Sequence, residues 1–159
     1  MQFIKDLTTY HQGDWIKQSI HSNGFKGVEW QIGQSVYSFD EKFCDRVQLL
    51  IDQINPSAVV RFGPKLIFKG QRMGGGCIGR NQILVSFCSA YSPIEILRHE
   101  LFHSVFGALT PEEQSFLQDD EESLATYFQD PKSKGYLEYK DLFQMVEKGE
   151  LFKRMNDFI

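Results

Sequence analysis

Residues 97–106 read Leu97-Arg98-His99-Glu100-Leu101-Phe102-His103-Ser104-Val105-Phe106, a run that places His-Glu-x-x-His inside an apolar helical stretch. A spacing of four sets His99 and His103 one above the other on a helix face, so two imidazoles can reach one metal ion. Glu100 is the next residue round the helix. From there a carboxylate can approach a water on the ion without being a ligand, the place a general base for hydrolysis needs. The run therefore predicts one zinc per chain, held by His99 and His103, with Glu100 as the base of a hydrolytic site.

A five-residue pattern also recurs by chance on ordinary helices, and the plain alternative is a surface helix with accidental spacing. Three features weigh against it. Leu97, Leu101, Phe102, Ser104 and Val105 are uncharged and include no proline, so the helix can be buried with only its metal-facing groups polar. Two histidines and a glutamate facing inward without an ion would be difficult to satisfy. A carboxylate-rich segment follows after a short connection, where a third ligand would have to come from. Hydrolytic zinc takes three protein ligands and leaves a fourth position for water. Glu121 and Glu122 are the candidates. At about 100° per residue, Glu121 lies near the direction of Leu124, Ala125 and Phe128, while Glu122 sits at the edge of that face, from which it can reach a cleft. Periodicity leaves the two open.

Outward from this run the punctuation is clear. Ser92-Pro93-Ile94-Glu95 opens the helix with Ser as N-cap, Pro at the first helical position and Glu at the third, and Gly107 ends it. Thr110-Pro111-Glu112-Glu113 repeats the signal for a short helix through Leu117. Asp119 to Phe128 reads as a third helix, acidic in its first turn as the helix dipole favours, stopped near Pro131. After a polar loop from Asp130 to Gly135, Leu142, Phe143, Val146, Leu151, Phe152 and Met155 predict a last helix, interrupted at Gly149.

Upstream, Ala58 to Phe62, Lys65 to Phe68, Cys77-Ile78 and Ile83 to Cys88 are short runs bounded by glycine, as strands of an antiparallel sheet are, with Gly79-Arg80-Asn81-Gln82 as a hairpin turn. Gly74-Gly75-Gly76 has neither the Gly-Lys-Ser/Thr ending nor the following helix of a phosphate loop, and reads as a flexible turn. Phe43, Val47, Leu50, Ile51 and Ile54 predict an amphipathic helix of about 15 residues ending at Asn55-Pro56. Residues 1–38 are mixed, with helical turns at Asp14 to Ile20 and a loop holding a short strand between Gly24 and Gly33. Helix, then sheet, then helices predicts one α+β domain over residues 1–159.

The chain has 159 residues, 42% of them hydrophobic and 14% aromatic, which suits a globular core without disulfides. A formal charge of −4 lacks the basic face that nucleic acid requires, so nucleic acid is not an expected partner. Cys44, Cys77 and Cys88 are an odd number without Cys-x-x-Cys spacing and are expected to be reduced thiols. The first residues, Met1 to His11, lack the apolar run of a secretory signal, and no stretch approaches a membrane span. The expectation is a soluble, cytoplasmic protein.

His99-Glu100-Leu101-Phe102-His103 followed by Glu122-Ser123-Leu124-Ala125-Thr126-Tyr127-Phe128 resembles the gluzincin metallopeptidases, in which a Glu-x-x-Ala helix supplies the third ligand. That register selects Glu122. The family frequently carries Asp or Asn four residues later to orient a zinc-bound histidine; Thr126 stands there, so that role is weakened or taken over elsewhere. A narrower resemblance covers residues 74–159. Ile96 to Glu100, Gly107-Ala108-Leu109-Thr110-Pro111-Glu112-Glu113, the Glu121-Glu122 helix and Val146 to Leu151 are similar to metallopeptidase domains in polyvalent proteins of phages and conjugative elements, and to small peptidases of the phage-repressor-cleaving type. The resemblance implies a zincin-like fold: a small, mostly antiparallel sheet packed on the metal-site helix, with C-terminal helices.

The expected activity is zinc-dependent hydrolysis of a peptide bond in a peptide or protein. Tyr136 or Tyr139 is the expected phenol for the oxyanion, against the plain alternative of ordinary core or surface residues. A peptide can bind as an added strand along Ile83 to Cys88, unless that strand is central. Cys77 or Cys88 could occupy zinc's fourth position as an inhibitory thiolate, although buried free cysteine is the common case. His11 and His21 are expected at the surface. Thr126 and the lack of a clear oxyanion residue keep a second reading open, a catalytically weak or inactive zincin-like domain that binds a partner protein. A cysteine hydrolase built on Cys77 or Cys88 leaves His-Glu-x-x-His unexplained.

Overall fold

The computed structural model describes residues 27–32, 35–63, 66–68, 71–79, 81–86 and 89–157. Within them the chain starts with two strands, β1 (Gly27–Ile32) and β2 (Ser35–Asp40), paired antiparallel from Gly27 opposite Asp40 to Ile32 opposite Ser35. A loop with one short strand was the expectation here. The alternation Val28-Glu29-Trp30-Gln31-Ile32 against Val36-Tyr37-Ser38-Phe39 is the period-2 signal of a two-stranded ribbon. The helical turns expected at Asp14 to Ile20 lie outside the described residues.

Helix α1 (Glu41–Ile54) follows with 14 residues, as its spacing predicts, and buries Val47, Ile51 and Ile54. Asn55 terminates it. This side chain is buried and tied twice over: its Oδ1 accepts from Ser57 N at 3.1 Å, and its Nδ2 donates to Ser104 Oγ at 3.0 Å, one residue beyond His103.

Five strands come next: β3 (Val59–Gly63), β4 (Leu66–Phe68), β5 (Gln71–Met73), β6 (Gly75–Ile78) and β7 (Gln82–Ser86). Among the described residues β4 and β5 pair only with each other, and the remaining three form a sheet in the order β3-β7-β6. Three expectations are corrected. The sheet is mixed, because β3 runs parallel to β7 while β6 runs antiparallel to it. The chain between β3 and β7 is long enough to leave the sheet, form β4 and β5, and return on the far side, which is what a parallel pair needs. The segment Ile83 to Cys88, proposed above as a docking edge, is described through Ser86 and is the central strand, hydrogen-bonded on both sides. The triple glycine is also not a free turn: Gly75 and Gly76 begin β6, and Gly74 O accepts from Ser86 N at 2.7 Å. The β6–β7 hairpin turn is where the sequence places it, with Gly79 at φ 63°, a conformation that favours glycine.

The second half is helical: α2 (Pro93–Phe106), α3 (Pro111–Ser115), α4 (Glu121–Gln129), α5 (Lys134–Glu138), α6 (Lys140–Glu147) and α7 (Glu150–Asp157). Starts are set by side-chain caps. Ser92 Oγ accepts from Glu95 N, Thr110 and Glu113 form a reciprocal capping box, and Asp120 accepts from Ser123 N. Ser133 does the same for Tyr136 N, opening α5 where a polar loop was expected. Gly149, at φ 75° and with no room for a Cβ against Gln53 O, separates α6 from α7 at the predicted interruption.

Helix α2 is the axis of the molecule. Leu97, Leu101, Phe102 and Val105 are fully buried, each contributing about 1.5–3 kcal/mol by burial. Ring contacts continue outward: Phe102 lies 5.6 Å from Phe128 and 5.8 Å from Phe143. The architecture is α+β, with seven helices and a three-stranded sheet among the described residues. No helix among them is long and apolar enough to cross a membrane.

Candidate metal centre

Helix α2 presents His99 and His103 one turn apart, and α4 lies against the same face. The rings meet edge to face, 4.9 Å between centroids, with their Nε2 atoms 3.2 Å apart. Glu122, in the first turn of α4, spans both. Its Oε1 is 2.8 Å from His99 Nε2 and its Oε2 2.9 Å from His103 Nε2. The other ring nitrogens have their own partners: His103 Nδ1 lies 2.6 Å from Glu121 Oε2, and His99 Nδ1 lies 3.0 Å from Gln129 Oε1.

Each ring thus has an acceptor at both nitrogens, Glu122 at Nε2 and Glu121 or Gln129 at Nδ1. In the tautomer with the proton on Nδ1, both Nε2 lone pairs face each other and the two oxygens of Glu122, so that four acceptors converge, an arrangement that a cation relieves. The size is also suitable. Zinc bonds of about 2.0–2.1 Å in a tetrahedron set ligand atoms about 3.3 Å apart, near the 2.8, 2.9 and 3.2 Å found here. The Glu122 side chain is 69% exposed, free to move the small remaining distance.

Glu100 is buried, and one of its oxygens lies with a nitrogen of each histidine inside a group no wider than 4.8 Å. That group could itself hold an ion. Glu122, however, touches both Nε2 atoms, and among the described residues no hydrogen bond joins Glu100 to either ring, which leaves Glu100 available to a water. Burial pushes its carboxyl up to about 7; His103 opposes the rise and the charge of Glu122 adds to it. A value near neutrality suits a general base.

The cleft over these groups has a volume of about 400 Å³, with Met73, Gly75, Gly76, Cys77 and Gly79 along one side and His99, Glu100, His103, Glu121 and Glu122 along the other. Glycine at 75 is required by the close approach of β6 to α2: a Cβ there would sit 2.5 Å from Ile96 Cγ2, 2.9 Å from Leu84 O and 3.2 Å from Glu100 Cγ. Cys77 lines the cleft as a thiol that donates to Gly79 O at 3.3 Å. Burial, then the charges of Glu100 and Glu121, push it up to about 11, which disfavours a nucleophilic thiolate and with it the cysteine-hydrolase reading. Cys88, His11 and His21 lie outside the described residues.

Neither tyrosine proposed for the oxyanion lines the cleft. Tyr136 is buried, its ring 5.1 Å from Phe143, and its hydroxyl donates to Glu147 Oε1 at 2.7 Å. Tyr139 stacks on Tyr127 at 6.3 Å and donates to Asp119 Oδ2 at 2.7 Å. Both follow the aromatic core of the helices rather than the histidine face of α2.

Thr126 does not orient a histidine; its Oγ1 donates to Glu122 O at 3.0 Å, within its own helix. Gln129 takes that place. It lies seven residues beyond Glu122, two turns on and almost on the same face, which is the signal by which the sequence could have revealed it. Arg98 holds that end of α4 in position: Nε donates to Phe128 O at 2.9 Å, an NH₂ group to Glu147 Oε1 at 2.8 Å, and the guanidinium lies 4.2 Å from the Phe128 ring centre. Among known proteins, no family model, no curated sequence and no solved structure matches this chain.

Proposed function

We propose that the chain is a zinc-dependent peptidase of zincin-like fold, with His99, His103 and Glu122 as metal ligands and Glu100 as general base. The observation that carries this reading is the convergence of both Nε2 atoms and both Glu122 oxygens, with the Nδ1 edge of each ring facing another oxygen. Zinc held there would supply Lewis acidity, making water acidic near neutral pH and polarising a carbonyl. Glu100 takes the proton of the attacking water and returns it to the leaving amine. Glu121 and Gln129 keep the imidazoles facing inward throughout.

A peptide as substrate agrees with the other wall of the cleft. Strand β6 pairs with β7 on one side and, among the described residues, with no strand on the other. An extended peptide added to that edge would run past His99 and Glu100, held by backbone hydrogen bonds, with little side-chain obstruction from Gly75 and Gly76. The docking strand is thus β6, not the segment Ile83 to Cys88.

A second reading retains one specific observation: no tyrosine, lysine or arginine is among the described residues lining the cleft. Without such an electrophile the domain could hold metal and bind a partner protein with little turnover. Glu100→Gln separates the two, because it keeps size and leaves the three ligands in place while removing the proton acceptor. Zinc content should persist while new peptide termini formed in a protein mixture fall by about two to four orders of magnitude. Equal termini from both proteins, with a partner retained equally by both, would favour the binding module.

A further inference from the structure

A second cavity, of about 540 Å³, lies where the start of α2 and the end of α4 meet α1, and among the described residues it shares no lining residue with the metal cleft. Phe43, Leu50 and Ile94 give it an apolar side. Its two most buried polar groups are Arg98 and Gln129, 7% and 8% exposed, and both are only half satisfied. Arg98 donates from Nε to Phe128 O and from Nη2 to Glu147 Oε1, and Gln129 turns Oε1 to His99. Among the described residues nothing accepts from Arg98 Nη1 or Gln129 Nε2. The one fully enclosed side-chain N or O atom without a partner there is Gln48 Oε1, so both nitrogens are reached from open space, and the cavity that the two residues share supplies it. Buried N–H groups in such a place call for an acceptor. Arg46 and Lys132, both exposed and without an ion pair among the described residues, add positive charge. Glu95 and Asp130 also line the cavity, but each already holds a donor: Glu95 Oε1 accepts from Ser92 Oγ at 3.1 Å, and Asp130 Oδ1 from Lys132 N at 2.9 Å. Their charges disfavour a dianion and leave room for a group of one negative charge. A carboxylate has that charge and an oxygen for each donor, and the apolar side calls for hydrocarbon attached to it.

We propose that this cavity binds an apolar carboxylate, a single carboxylate on a hydrocarbon body, whose oxygens accept from Arg98 Nη1 and Gln129 Nε2 while the body lies against Phe43, Leu50 and Ile94. Arg46 and Lys132 draw the charge in. The site does not depend on the metal-centre reading, since its donors and its apolar side are the same whether or not His99 and His103 hold an ion.

Titration of the full chain with N-acetyl-phenylalanine, followed by the side-chain ¹⁵N resonances of Gln129 and Arg98, tests it. Both resonances should shift, with a dissociation constant of about 1 mM or tighter. N-acetyl-phenylalaninamide, the same body without the charge, should bind about tenfold more weakly or worse, and inorganic phosphate no better than the amide. Gln129→Leu should weaken the acid about 2–10-fold. Arg46→Gln with Lys132→Gln should weaken it about 3–5-fold at low salt and less at high salt. Arg98→Lys puts the fold at risk through Phe128 and Glu147, so the other variants and the acid-to-amide ratio decide. Phenylacetate and a tripeptide ending in phenylalanine separate the two sources of this chemistry: equal affinity supports a free acid, and a tripeptide about tenfold tighter supports a chain end. Acid and amide binding alike, phosphate binding as tightly as the acid, or resonances unmoved at about 10 mM acid would each overturn the proposal. So would an acid affinity unchanged both in Gln129→Leu and in the Arg46→Gln, Lys132→Gln double variant.

Discussion

The two walls of the cleft are built on opposite principles. The wall made by α2 and α4 consists of polar side chains, each held by a named partner: Glu121 on His103, Gln129 on His99, and Arg98 bracing the end of α4. The wall made by β6 starts with two glycines, so that its backbone at Gly75 can lie against Ile96 and Glu100. One wall gathers polar groups; the other supplies close approach and, among the described residues, a strand edge. A substitution on the first should change metal and turnover and cost stability only through the lost ion, and one on the second should cost stability with metal affinity little changed.

The largest expected effect is on the helical wall. Glu122→Ala removes the carboxylate that touches both Nε2 atoms and should leave no tightly held zinc, whereas Glu121→Ala removes only an orienting acceptor and should weaken affinity about 10–100-fold. Zinc titration against a chromophoric chelator would measure both. The reverse order would make Glu121 the ligand and break the assignment of roles within this wall.

Chelation should have a comparable but thermodynamic effect. On the proposed metal centre, ligands on two helices would be joined through one ion, so the zinc-loaded chain should be more stable by about 4 kcal/mol when free zinc is a thousandfold above its dissociation constant. Thermal unfolding with and without chelator reads this directly. An unchanged midpoint would mean that packing alone holds α4 to α2.

On the strand wall, Gly75→Ala inserts a Cβ against Ile96 and the fixed carbonyl of Leu84. Overpacking of this kind costs about 1–3 kcal/mol. Denaturant unfolding should show that loss while zinc affinity changes little. A large fall in zinc affinity with unchanged stability would show that the two walls do not divide their labour as described.

The smallest effect tests a region outside both walls. Glu113 is held below the usual carboxylate range by the Thr110 backbone N–H first and then by Arg154, which donates to both its oxygens at 2.7 and 2.9 Å. Because the folded value is the lower one, this support is full above the ordinary glutamate value and is lost as pH falls through the folded value. Arg154→Ala should therefore flatten the acid limb of a stability profile slightly and leave zinc binding unchanged, since the pair is solvent-exposed and screened.

What the sequence determined by itself was local. Ser92, Thr110 and Asp120 announce helix starts because a cap bonds a backbone N–H only three residues away, and His99 and His103 share a face because helix geometry requires it. Gly149 marks a break for the same reason, as its conformation is a property of one residue. Tertiary structure decided every matter of partner choice. Only the packing of α4 on α2 shows that Glu122 meets both Nε2 atoms while Glu121 meets His103 Nδ1, brings Gln129 to His99, and sends the Tyr136 hydroxyl to Glu147. Only the return of the chain beside β3 makes β7 central and, among the described residues, leaves β6 at the edge. Periodicity gives the direction of a side chain from its own helix; which atom it meets depends on another element, placed by the burial of Phe102, Phe128 and Phe143 far from the polar groups concerned.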